Sequence, residues 1–336
     1  MKSNMETVLD HIEHVEPKLK DIPQIAPLCD ALLGLTKKRI KLNDGAELYC
    51  ESEGQGIPIV LLAGGPGNSH HAFHPHFSKL ANFARVIYFD FRGCGKSDYV
   101  KGLGYSIDQA VDDLDDLRKV LGIEKWVVLG HSNGGFIAQY YTKKYAKRVL
   151  GLVLVCADFD AKIQEEQLKD DYADQRIHNS EREMKRLKEI RLEAFKLLSS
   201  ESEYLAGPEK LQKYIYNMLL NGDWKRQNFY LPTNEEMAYK SLYEFSCDWG
   251  YAGNMCETQR GVDISTFDGS IPTLIIEGKF DLTWNPDKKP AILRSIHPHA
   301  KLIMFDRSAH SPFADEPEKF FDLLRTFIVD VPLSIL

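Results

Sequence analysis

The chain has 336 residues, with 42 Lys and Arg against 49 Asp and Glu, and a net charge of −7 at pH 7. Its 43% hydrophobic and 27% charged residues are those of an ordinary globular protein, and the length suits one large domain or a core with an insertion. No basic stripe is present, which excludes nucleic acid as the main partner, and no run is apolar and long enough to span a bilayer.

Residues 1–35 read as a helical extension. Met5, Val8, Leu9, Ile12 and Val15 fall at helical spacing until Pro17 breaks the pattern, and a second apolar run covers Ala26 to Leu35. An arm packed on the body is expected, with a lid or an exchanged arm as alternatives. Several acids and Pro17 stand where a signal peptide would carry an apolar stretch, which points to the cytoplasm. The six cysteines form no C-x-x-C pair and no zinc spacing, so free thiols are expected.

From Arg39 the pattern turns to strands. Arg39–Leu42 and Leu48–Glu51 flank Asn43-Asp44-Gly45, a hairpin signal. Ile57–Leu62 and Arg85–Phe89 are apolar runs of the kind buried on both faces of a sheet. The first ends in Ala63-Gly64-Gly65-Pro66-Gly67, the second in Asp90-Phe91-Arg92-Gly93-Cys94-Gly95-Lys96-Ser97. Ile107–Leu121 has helical periodicity, with Ser106 and Gln109 as a capping box and Gly122 as the stop. Trp126–Leu129 is a further strand, Ser132–Ala146 a helix and Leu150–Val155 the next strand.

Composition shifts at 161–268, which is rich in Lys, Glu, Tyr and Met and reads as an inserted helical cap with one charged helix over Glu181–Leu198. Strands resume at Pro272–Glu277 and Lys301–Phe305, and Asp315–Val329 reads as a closing helix. Strands alternating with helices predict a mostly parallel sheet covered on both faces. Its core would comprise 36–160 and 269–336. Ligands bind such sheets at the carboxyl ends of the strands, so the loops after the strands should converge.

One of those loops carries a nucleophile signature. Gly130-His131-Ser132-Asn133-Gly134 matches G-x-S-x-G, a sharp strand-to-helix turn that lifts a serine hydroxyl out of the fold. A serine needs a base, and the base an orienting carboxylate, in the chain order Ser, Asp or Glu, His. Asp281 follows the Pro272–Glu277 strand and His310 follows Lys301–Phe305, so both stand where that order requires. Asp306 competes for the acid role but lies on the base's own loop. Backbone N–H groups of Asn133 and Gly65 are the expected oxyanion donors. No cofactor or metal is required by this chemistry. His70, His71, His74 and His76 form a cluster that either coordinates a metal or lines a loop or pocket, and no second ligand cluster accompanies it.

Taken together, Gly64-Gly65-Pro66-Gly67, the Asp90–Ser97 motif, the elbow and the Asp281 and His310 loops resemble the α/β-hydrolase superfamily, and most of all its proline iminopeptidase-like branch. The resemblance implies an α/β-hydrolase fold with an inserted helical cap. It also implies a serine hydrolase that acts through an acyl-enzyme and releases an N-terminal residue from small peptides. The implied partner is a small-molecule or short-peptide substrate, with no nucleic acid and no membrane. Carboxylesterase or lactonase activity is the alternative, and a non-catalytic binding protein on the same fold a further one. The sequence departs from the branch at Ala63, where it usually has His, and at His131 and Asn133, where its elbow usually has Gly and Trp. The branch also uses acidic cap residues to hold the substrate amine, for which Glu235, Glu236, Glu244 and Asp248 are candidates.

Overall fold

A computed structural model describes residues 34–99, 105–159, 267–281 and 288–331, together with Met255, Thr258, Gln259, residues 262–264 and Thr283. The expected helices of 1–35, most of the expected cap and the four candidate cap acids lie outside the described residues.

Eight strands form one sheet: β1 (Thr36–Lys41), β2 (Glu47–Glu53), β3 (Ile57–Leu62), β4 (Ala84–Phe89), β5 (Trp126–His131), β6 (Val149–Val155), β7 (Thr273–Gly278) and β8 (Lys301–Phe305). Their spatial order is β1-β2-β4-β3-β5-β6-β7-β8. The first two strands pair antiparallel, at the hairpin predicted around Gly45, whose φ is 94°. From β4 to β8 every pairing is parallel.

The central strands are apolar throughout because both faces are covered, and alternation decides which residue meets which layer. Val60, Leu62 and Val128 join one cluster, packed beneath α1 (Ile107–Val120), α2 (Asn133–Lys144) and α3 (Lys289–Ile296). Ile59, Leu61, Val127 and Leu129 join the other, beneath the 3-10 segments His70–Phe73 and His76–Asn82, the short α4 (Pro312–Asp315) and α5 (Pro317–Asp330). On that second face Phe77 touches Phe313, Phe320 and Phe321 edge-on, the geometry favoured by ring quadrupoles. None of the helices among the described residues is long and apolar enough to cross a membrane.

Two local expectations change in detail. Ser106 caps α1 by accepting from the Gln109 N–H, but the Gln109 side chain donates to Asp113 at 2.7 Å instead of closing the capping box. Pro317, at the first position of its helix, splits the predicted Asp315–Val329 segment: α5 starts there, and α4 is a separate turn.

Candidate active site

The turn after β5 is sterically demanding. Ser132 has φ 54° and ψ −127°, in the positive-φ region that side chains rarely adopt, at a cost of about 1–3 kcal/mol. Three backbone hydrogen bonds offset this: Ser132 N–H to Val155 O, and Gly135 and Asp158 N–H to Ser132 O, at 2.8–3.0 Å. The flanking glycines are required by space. A Cβ at Gly130 would lie 2.3 Å from Gly134 O, and one at Gly134 would lie 2.1 Å from Leu62 O. Ser132 is the half-exposed residue of a buried stretch.

The loop after β3 comes against it. A Cβ at Gly64 would sit 2.8 Å from Ser132 Cβ, so only glycine allows that approach. Gly65, with φ 116°, follows directly, and Asn68 N–H bonds back to Gly64 O at 3.2 Å to close the loop. Asn133 begins α2, and its side chain donates to buried Gln259 at 2.9 Å. That partner stands late in the segment predicted as the cap, so no local pattern marks it.

Asp281 and His310 meet on the loops after β7 and β8. His310 Nδ1 donates to Asp281 Oδ2 at 2.9 Å, and both side chains are buried. The loops are laced together by Lys279 N–H to Phe305 O and Phe280 N–H to Ser308 O, each 3.0 Å. A Cβ at Gly278 would lie 1.9 Å from Ala309 O, so this glycine admits the His310 loop to the Asp281 loop. Glu316 accepts from Ser308 Oγ and Asp315 accepts from Ala309 N–H, tying that loop to α4 and to the start of α5. Asp306 instead faces solvent, 3.8 Å from Lys279.

Three further groups bear on the pair. Thr283 donates its N–H and its hydroxyl to Asp281 Oδ1, and its Oγ1 stands 3.1 Å from His310 Nδ1. His131, next to Ser132, donates from Nε2 to the His310 carbonyl at 2.8 Å, with the two rings 4.8 Å apart. Burial, helped by the neighbouring His310, pushes His131 down to about 3, so its ring is neutral. The third group is a buried charge pair: Lys289 Nζ lies 2.8 Å from Glu277 Oε2 and 3.6 Å from Asp281 Oδ2. Burial opposes the charge on Asp281, but His310 and Lys289 outweigh it and hold the carboxyl well below the usual range. Cys156 Sγ, Asp281 and His310 donor atoms lie within 4.8 Å of one another, the one potential metal grouping among the described residues. The Lys289 ammonium already supplies positive charge there, and burial pushes the Cys156 thiol up, away from the thiolate a metal prefers.

The histidine cluster has a different character. His70 donates from both its backbone N–H and Nδ1 to Asp90 Oδ1, at 2.7 and 2.8 Å, and His74 Nε2 bonds Glu51 Oε2 at 3.1 Å. His70, His71 and His74 are buried, and His76 is half-buried beside Phe313. The Asp90–Ser97 motif closes over the same centre. Asp90 also accepts from Lys96 N–H, and Arg92 forks onto Asp113 at 2.7 and 2.9 Å. This is a polar core behind the Gly64–Gly67 loop.

The α/β hydrolase fold family model matches residues 57–317. The chain belongs to that family. Among curated relatives, this α/β hydrolase is 28% identical over 309 residues to a proline iminopeptidase of Saccharolobus solfataricus, covering 88% of this chain and 92% of the relative. It is 28% identical over 298 residues to that of Clostridioides difficile, covering 81% and 89%. Among solved structures it matches a proline iminopeptidase of Mycobacterium smegmatis with TM-score 0.66 and 20% identity, covering 89% and 99% of the two chains. An esterase from Exiguobacterium antarcticum matches with TM-score 0.63 and 21% identity, covering 88% and 100%. At such identities the structures speak for the fold alone.

Proposed function

We propose that the chain is a serine hydrolase that works through an acyl-enzyme on Ser132, and that it releases N-terminal residues, proline among them, from short peptides. The observation that carries this is the 2.9 Å Asp281–His310 bond on the loops beside a serine held at positive φ. In this reading His310 takes the Ser132 proton during attack on the carbonyl and delivers it to the leaving amine. Asp281 fixes the imidazole tautomer, since Nδ1 must carry its proton to reach Oδ2, and it stabilises the imidazolium that forms. The backbone N–H groups of Gly65 and Asn133 receive the oxyanion. Similarity to proline iminopeptidases along most of both chains supports the peptide substrate.

A fluorophosphonate probe, followed by proline and alanine arylamides beside short acyl esters, tests both levels. Labelling at Ser132 with arylamide turnover is the expected result. Labelling with ester turnover alone assigns the same machinery to esters, and an unlabelled Ser132 overturns the mechanism.

A further inference from the structure

Glu277, the fifth residue of β7, and Lys289, the first of α3, are almost fully enclosed, as is Asp281. A lysine at a helix N-terminus opposes the helix dipole, so the backbone gives no reason for its presence. Side chains give the reason. Its ammonium touches two carboxylates unequally, Glu277 at 2.8 Å and Asp281 at 3.6 Å. The Asp281 oxygen it approaches is Oδ2, the same atom that accepts from His310. Two cations competing for one carboxylate oxygen is a functional problem, because a lysine that captured Oδ2 would strip the imidazolium of its counter-charge.

We propose that Glu277 and Lys289 are positioning residues for the acid–base pair: Glu277 holds the Lys289 ammonium at the distance from which it stabilises Asp281 without displacing His310. The inference rests on the reading of Asp281 and His310 given above. Charge bookkeeping supports it. Above neutral pH Glu277 and Lys289 cancel, His131 is neutral and the Cys156 thiol is protonated, so one uncompensated negative charge, that of Asp281, faces His310. Burial, reinforced by nearby Asp281, pushes the Glu277 carboxyl up to about 7 even with Lys289 against it, so the hold loosens as pH falls through neutrality. Glu277 Oε1 finds no hydrogen-bond partner among the described residues. A buried pair kept for stability alone has no need of the third contact, and apolar replacement of such pairs is often neutral.

The test uses the full chain, a substrate cleaved by the wild type, fluorophosphonate labelling and kcat/KM against pH. In Glu277→Gln, Lys289 is released towards Asp281, and the acidic limb moves to lower pH by about one unit with a roughly tenfold loss of kcat. In Lys289→Met, the positive charge is gone, and the limb moves to higher pH by about one unit. In the double variant the limb returns to its wild-type position. Opposite shifts support the proposal. Shifts of the same sign, or no shift, overturn it while labelled Ser132 keeps the hydrolase reading. A wild type unlabelled at Ser132 overturns both. If Lys289→Met fails to fold, the downward shift in Glu277→Gln and its absence in the double variant carry the same decision.

Discussion

The environment of Asp281 is built from single hydrogen bonds whose loss has separable effects. Thr283 supplies two donors to the oxygen that His310 leaves free. In Thr283→Val one donor remains, and kcat should fall about tenfold, the loss expected from roughly 1.4 kcal/mol of orientation, with thermal stability close to wild type. An unchanged kcat would show that the backbone N–H suffices. Ser132→Ala should abolish turnover on any substrate found, by a factor on the order of 10³ or more. It should also leave urea unfolding intact or slightly improved, because the alanine keeps the strained turn without needing the hydroxyl. Residual turnover at the wild-type rate would place the nucleophile elsewhere. Glu277 and Lys289 were not legible as a pair. In sequence, one is the last polar residue of a strand and the other half of Lys288-Lys289, and they meet only because α3 sets its first residue against the end of β7.

At the scale of elements, glycines carry the predictions. Gly278→Ala sets a Cβ 1.9 Å from a backbone oxygen on the His310 loop. Backbone cannot yield as a side-chain tip does, so the loss should exceed about 2 kcal/mol and disrupt the His310 loop, visible as lower activity in the folded fraction. Gly122→Ala meets nothing within 4 Å, and only its φ of 67° resists the change. Its cost, about 1 kcal/mol, should leave activity untouched. Comparing the two by urea denaturation separates close approach from backbone conformation. The strands were legible because apolar runs bounded by Gly and Pro clusters have few other readings, and chain order singled out Asp281 and His310, which the fold joins by a 2.9 Å hydrogen bond. The role of Gly278 was hidden because its demand comes from Ala309, on a different strand's loop. The histidines stayed ambiguous for a similar reason. Their partners Glu51 and Asp90 lie on β2 and just beyond β4, and a metal cluster and a hydrogen-bonded polar core look alike until those strands are placed.

For the whole molecule, buried histidines set the acid limit. Burial holds His131 at about 3 and His297 at about 4 and also lowers His74, whereas the unfolded chain binds those protons near 6.5. Native groups that refuse a proton the unfolded chain accepts lose stability as pH falls, from about 6.5 down towards the native values. Each contributes up to about 1.4 kcal/mol per pH unit. Below that, Glu51 continues the trend. Burial opposes its charge, but hydrogen bonds from His74 and Tyr49 hold it at about 2, so its contribution is complete above about 4.5 and is lost on further acidification. Glu277, raised to about 7, takes up a native proton over the same range and offsets one of these rings. Urea midpoints should therefore fall between pH 7 and pH 5 by the balance of the others; a flat profile there would mean that these rings are protonated in the native state.

The sheet order imposes a schedule on synthesis. β6, Val149–Val155, is buried along its whole length and takes β7 as its outer neighbour, yet β7 begins only at Thr273. At 5–20 residues per second, the roughly 120 residues between them occupy the ribosome for about 6–24 s. During that interval the nascent chain presents an apolar strand with an unpaired edge, the form most prone to pairing with other chains. Products truncated after residue 159 would keep that edge permanently and lack both Asp281 and His310. They should partition to chaperones and inclusion bodies, while the complete chain buries the edge once its last quarter has emerged.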